Sequence, residues 1–95
     1  MLLPEITAWS LRAAPERYCD VAEAMGLAHA EEIPGTLESL SRELNVPRLG
    51  TIVDPGDLRQ HARQMAGDAI ASGSPANNPR VPTEAEIVAL YERCL

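Results

Sequence analysis

His29, His61, Cys19 and Cys94 are the side chains whose types suit a transition metal, and their spacing does not assemble one. A metal site needs three or four His, Cys, Asp or Glu groups converging on a point, and its readable form on a helix is a pair such as H-x-x-x-H. Neither histidine has a second His one turn away, so a surface or core-edge imidazole is the preferred reading for each. His61 is the more interesting, because Leu58 and Met65 flank it at i−3 and i+4, as they would a pocket-lining ring. Nucleophilic chemistry fares no better. Ser39 and Ser41 have no His and Asp arranged around them, and Cys19 is followed by the acidic Asp20 and Glu23, which disfavour a reactive thiolate. No G-x-G-x-x-G turn is present for a dinucleotide, and no G-x-x-x-x-G-K-[ST] loop for a nucleotide phosphate. The glycines are scattered, with Gly67 marking close packing inside a helix.

The best candidate for contact with a ligand or partner is the loop carrying Ser74, Asn77, Asn78 and Arg80. Asn78 precedes Pro79 and is held extended, which fixes the direction of its amide and of Arg80. A rigid turn bonded to its own backbone is the competing and preferred reading. Arg80 is expected to find an acid such as Asp54 or Asp68.

The elements that must position these groups read as helices. Hydrophobic residues make up 45% and charged residues 23% of the 95, with Trp9, Tyr18 and Tyr91 the only aromatics. The core is therefore aliphatic, and no stretch alternates apolar and polar residues long enough for a strand. The expectation is an all-α fold of about five short helices in a small helical array, one domain over residues 1–95. Residues 2–13 form the first helix, with Leu2, Ile6 and Trp9 on one face; its apolar beginning, without a cap, reads as a cut edge. Pro15 and Glu16 start a second helix with a Tyr18, Val21, Ala22, Met25 stripe, and Gly26 stops it. Residues 27–35 read as a connector. Thr36 is the expected cap of a third helix that turns Leu37, Leu40 and Leu44 inward and ends at Asn45. Asp54-Pro55-Gly56-Asp57 starts a fourth, with Leu58, Ala62, Met65 and Ala69 facing the core. After the turn-rich segment 72–80, Thr83 and Glu86 form a T-x-x-E capping box for the last, whose apolar face is Ile87, Leu90, Tyr91 and Cys94.

Eight basic against fourteen acidic residues give a net charge of −6, which repels phosphate backbones and anionic membrane surfaces. No nucleic acid and no membrane partner is expected. The first residues are too few to span a bilayer and show no basic leader, so a cytoplasmic protein with Cys19 and Cys94 as reduced thiols is the default.

The order of these signals resembles a known family. The Asn78-Pro79-Arg80 turn, the Thr83 cap and the short helix bearing Ile87, Leu90 and Tyr91 are similar to the end of the iron-containing, or group III, alcohol dehydrogenases and their maleylacetate-reductase relatives. LLPEITAWSLRAAPERYCDVAEAMGL resembles that family's LLP-initiated helix and the Pro-led helix after it. LESLSRELNVPRLGTIVDPGDLRQHARQMAGDAI is similar to its small helix, Val-Pro turn and Asp-started helix. The resemblance implies a dehydroquinate-synthase-like C-terminal subdomain, roughly the last quarter of a metal- and NAD(P)-dependent oxidoreductase. It also implies that the metal ligands lie upstream of the LLP helix, so that no metal or cofactor is bound by this chain alone. By the same resemblance, Ser74, Asn77, Asn78 and Arg80 border the substrate entrance.

The reading is a helical portion that is not catalytic by itself and whose partner is the nucleotide- and metal-binding portion of an enzyme. The alternative is a free-standing interaction or dimerisation module that self-associates through Leu2, Ile6 and Trp9. A small-molecule binder using His61, Tyr91 and Arg80 is a third option, resting on composition alone.

Overall fold

Prolines set four of the five helix starts. In the computed structural model, which describes residues 1–95, these helices are α1 (Leu3–Ser10), α2 (Pro15–Ala24), α3 (Ile33–Glu43), α4 (Pro55–Ala71) and α5 (Glu84–Arg93), with short 3₁₀ turns between them and no strand. The first turns of α1, α2, α3 and α4 each contain a proline, where its missing N–H costs nothing. The all-α expectation holds. No helix is long and apolar enough to cross a membrane.

Two helix ends share one hydrogen-bond pattern. Gly26 after α2 has φ 74°, and Leu27 N–H reaches back to Ala22 O at 2.8 Å. Asn45 after α3 does the same with φ 53°, and Val46 N–H donates to Ser41 O at 2.8 Å. Both are Schellman closures, which use a left-handed residue to satisfy carbonyls the helix would leave open.

The residues group into two compact units, Met1–Val46 and Pro47–Leu95. In the first, α1 packs on α3, and α2 packs on the 3₁₀ turn Ala30–Glu32. Its core is Ala22, Ala30 and Ile33, enclosed by Leu11, Tyr18, Leu27 and Leu37. The buried side of α1 is Pro4, Thr7 and Ser10, three small or compact residues at i, i+3 and i+6. Leu2, Ile6 and Trp9 are half-buried. No buried side-chain nitrogen or oxygen lacks a hydrogen-bond partner, so the polar members of that face cost little.

Four sequence readings of this unit need correction. The connector is shorter than residues 27–35, because α3 already begins at Ile33. His29 N–H donates to Glu32 Oε2 at 2.7 Å while the His29 ring accepts from the Glu32 backbone, and this reciprocal cap starts a 3₁₀ turn that runs directly into α3. Thr36 consequently lies inside the helix and donates its hydroxyl to Glu32 O at 2.9 Å instead of capping. The inward stripe is also shorter than expected: Ile33 is 2% exposed and Leu37 half-buried, but Leu40 and Leu44 are 49% and 66% exposed. All four lie within a narrow arc of the helix, and the core of this unit reaches only the first two. On α2, Val21 and Met25 are likewise exposed, leaving Ala22 as the buried member.

In the second unit α4 packs on α5. Asp54 caps α4 as its position implies, with Oδ1 accepting from Gly56 N–H at 2.8 Å and Asp57 N–H at 3.0 Å. The inward residues are Leu58, Ala62 and Ala66 on α4, and Ile87, Leu90 and Cys94 at α5. Met65, expected inward, is exposed, and Ala66 is fully buried. The buried positions advance by four residues each time, the course of an i±4 ridge in a packed helix pair, and that drift carries Met65 to the rim. Gly67 has nothing within 4 Å of where a Cβ would stand, so close packing does not explain it.

Gly50 does meet a close neighbour. It lies in the 3₁₀ turn Leu49–Thr51, and a Cβ there would come within 2.8 Å of the Leu95 carbonyl oxygen. Beside it, Leu49 N–H donates to Cys94 O at 3.2 Å. The turn thus seats the end of α5 by backbone contact, a role for Gly50 that the sequence does not announce.

Candidate functional site

The segment between α4 and α5 carries a run of short-range hydrogen bonds. Ser72 closes α4 by donating its hydroxyl to Ala69 O at 2.6 Å and then accepts from Ser74 N–H at 3.3 Å. Gly73 takes φ 79°, a left-handed value that glycine adopts without strain, and turns the chain into the 3₁₀ helix Ser74–Asn77. Ala76 N–H to Gly73 O and Asn78 N–H to Pro75 O, both 3.2 Å, hold that turn.

Asn78 is extended at φ −75°, ψ 144°, as a residue before proline must be. Its amide Nδ2 donates to Arg80 O at 2.7 Å, bracing the Asn-Pro-Arg bend from inside. Of the acids expected for Arg80, Asp54 caps α4 and Asp68 accepts from Gln64 Nε2 at 2.9 Å. Arg80 donates to Glu86 Oε1 in the first turn of α5.

Glu86 is the junction of two networks. Its Oε2 accepts from Thr83 N–H at 2.9 Å and from the Thr83 hydroxyl at 3.1 Å, and its own N–H donates to Thr83 Oγ1 at 3.3 Å. That is the capping box the T-x-x-E spacing predicts. The Thr83 N–H is the main influence holding the Glu86 carboxyl below its ordinary range; the Thr83 hydroxyl and the Arg80 guanidinium add to it, and partial desolvation opposes them. The capping role is legible from sequence, whereas the grip on Arg80 needs the fold of the loop.

The other named side chains are dispersed. Ser74 and Asn77 are exposed on the 3₁₀ turn. His61 is also exposed, and its Nδ1 donates to Asp57 O at 2.9 Å one turn back on its own helix. Tyr91 is half-buried. Cys19 is exposed and Cys94 buried, with no disulfide between them. Arg63 on α4 donates to Glu84 on α5 at 2.9 Å, and with both side chains well exposed this pair adds little. No group of three or more His, Cys, Asp or Glu side chains stands where it could hold a metal ion. The residues present therefore do not fit an iron centre.

Comparison with known proteins gives a consistent answer. A model of the Fe-containing alcohol dehydrogenase family, C-terminal part, matches residues 1–95. The 1,3-propanediol dehydrogenase of Klebsiella pneumoniae is 31% identical over 98% of this chain and 26% of its own length. That of Citrobacter freundii is 29% identical over the same shares. An alcohol dehydrogenase of Thermococcus barophilus is 26% identical over 98% of this chain and 25% of its own length. No solved structure gives a comparable match. The chain spans about a quarter of the length of the curated relatives it matches. With five helices in place of any sheet and a family model aligned from its first residue to its last, the chain belongs to the Fe-containing alcohol dehydrogenase family and corresponds to its C-terminal part.

Proposed function

We propose that this chain is the helical C-terminal portion of a metal-dependent, NAD(P)-linked alcohol dehydrogenase, acting on short alcohols or diols, and that it does not transfer hydride by itself. One observation supports the reading above the others: an end-to-end family match joined to the lack of any converging set of metal donors. Interconverting an alcohol and a carbonyl by hydride transfer calls for a bound nicotinamide and a cation beside the substrate oxygen. This chain supplies neither a donor cluster nor a glycine-rich phosphate turn. Its contribution is the scaffold of α4 and α5 and the bend at Asn78 to Arg80, which by family resemblance borders the substrate entrance with Ser74 and Asn77.

The purified chain, given ferrous or zinc ion, NAD or NADP and 1,3-propanediol or ethanol, is expected to leave the nicotinamide absorbance unchanged. Turnover that rises linearly with protein and stops on adding a chelator would refute the proposal.

A second reading is a free-standing association module; Leu2, Ile6 and Trp9, the face expected to pair, are half-buried, and the exposed apolar side chains that favour it are Leu40 on α3 and Leu44 at its C-cap. Apolar side chains grouped in this way mark surfaces that another body covers. Light scattering separates the readings. A well-defined dimer supports the module, and a monomer or a polydisperse aggregate supports the helical portion.

A further inference from the structure

We propose that the outer half of the α3 stripe, Leu40 and Leu44 with Val46 beyond them, is the surface on which the nucleotide- and metal-binding portion of a dehydrogenase of this family seats. The inference rests on the reading of the chain as a helical C-terminal portion and adds to it the contact face.

The stripe is continuous but covered in part. Ile33, Leu37, Leu40 and Leu44 follow one another at spacings of four, three and four residues, the seam by which one helix packs along another. Ile33 and Leu37 meet the core built with Ala22 and Ala30, whereas Leu40 and Leu44 stand 49% and 66% exposed. The end of the helix is held in place. Asn45 turns at φ 53° and Val46 N–H returns to Ser41 O at 2.8 Å, a closure that folds the residue two beyond the cap back over the last turn. Val46, 38% exposed, therefore extends the patch of Leu40 and Leu44, and backbone hydrogen bonds fix all three.

A separate body would gain little from so small a patch. Stable complexes between independent proteins use about 20–30 residues a side, whereas a body carried on the same polypeptide meets its site at an effective concentration of about millimolar and needs far less. Charge weighs against a second copy as well. Met1–Val46 holds eight acids against Arg12, Arg17 and Arg42, and Arg42 already donates to Ser39 Oγ at 3.1 Å. A two-fold pairing centred between Leu40 and Leu44 would set the exposed Glu43 of each copy beside the other near the axis. The occupant that fits is a tethered one. In the curated relatives the part this chain matches is about a quarter of a longer polypeptide, so the rest of that polypeptide is the body on hand to cover the face.

The test grafts this chain onto the 1,3-propanediol dehydrogenase of Klebsiella pneumoniae in place of that enzyme's matched quarter. Maleimide labelling of a Leu44→Cys variant is then read by mass spectrometry in the graft and in the chain alone. In the chain alone the introduced thiol should label readily, as the exposed Cys19 does, with light scattering giving a monomer. In the graft it should label at least about tenfold more slowly, the mark of a site reached through local opening. The unsubstituted graft should reduce NAD with 1,3-propanediol, and this second readout keeps the face and the parent reading apart. Turnover with unslowed labelling would discard the face and leave the parent reading standing, whereas a graft that neither folds nor turns over would discard both. Slow labelling in the chain alone, at twice the monomer mass, would give the surface to a second copy and reject the proposal.

Discussion

Replacing Ile33 with alanine is expected to cost about 2–5 kcal/mol, the range for emptying a buried aliphatic site. Ile33 is 2% exposed and is the only large aliphatic side chain among the buried residues of its cluster, the others being Ala22 and Ala30. The cavity would open beneath Leu11, Tyr18, Leu27 and Leu37, in a compact unit whose size leaves little apolar burial in reserve. Since a whole domain is stable by only about 5–15 kcal/mol, such a loss should unfold much of Met1–Val46 at moderate urea concentration. Leu40→Ala and Leu44→Ala make the contrast, because both side chains are largely exposed and each change should stay within about 0.5 kcal/mol. Urea unfolding followed by circular dichroism reads all three. Large losses at Leu40 and Leu44 with little at Ile33 would restore the stripe that periodicity suggests and reject this core.

Gly50→Val is the second substitution with a large expected effect. An added Cβ would stand 2.8 Å from the Leu95 carbonyl oxygen and 3.5 Å from both the Leu95 carbonyl carbon and Cα. Those neighbours are backbone, so relief means moving the end of α5 or the turn Leu49–Thr51, which also share the Leu49 N–H to Cys94 O bond. Overpacking of this kind costs about 1–3 kcal/mol and should lower the melting temperature by about 5–15 °C. Gly67→Ala is the matched control. Gly67 lies within α4 with open space around it, and alanine there should stabilise by about 0.5–1 kcal/mol. A Gly50→Val melting curve that overlays the wild type would mean the turn does not seat the C-terminal residues.

Much of the fold is legible where the deciding partners are a few residues apart. Asp54 before Pro55, Thr83 three residues ahead of Glu86, and Gly26 after α2 act through hydrogen bonds that close within one helical turn, so residue type and spacing suffice. The start of α3 is local as well, yet it was hidden. Pro34 and Gly35 look like a break, and only the His29–Glu32 reciprocal cap shows that the proline belongs to a first turn. Which apolar side chains end up covered is a different question, since periodicity locates a stripe and says nothing about how far along it a partner reaches. Ile33 and Leu37 are covered and Leu40 and Leu44 are not, and α4 buries Ala66 where Met65 is the larger side chain.

The candidate site divides along the same line. Proline chemistry fixes Asn78, and the box spacing fixes Thr83 and Glu86. That Arg80 reaches Glu86 depends on how the bend after the 3₁₀ turn is directed, which no local signal in the sequence reports. The seat of Leu95 on Gly50 joins residues far apart in sequence, and no local signal reports it.

Isothermal titration of the purified chain with ferrous or zinc ion, and separately with NAD and NADP, tests most directly the claim that the metal and the nicotinamide of the family's chemistry are held by residues outside this chain. The account predicts no saturable one-to-one binding of any of them. One ion bound per chain, retained through dialysis and lost on replacing a His, Cys, Asp or Glu of these 95 residues, would contradict it.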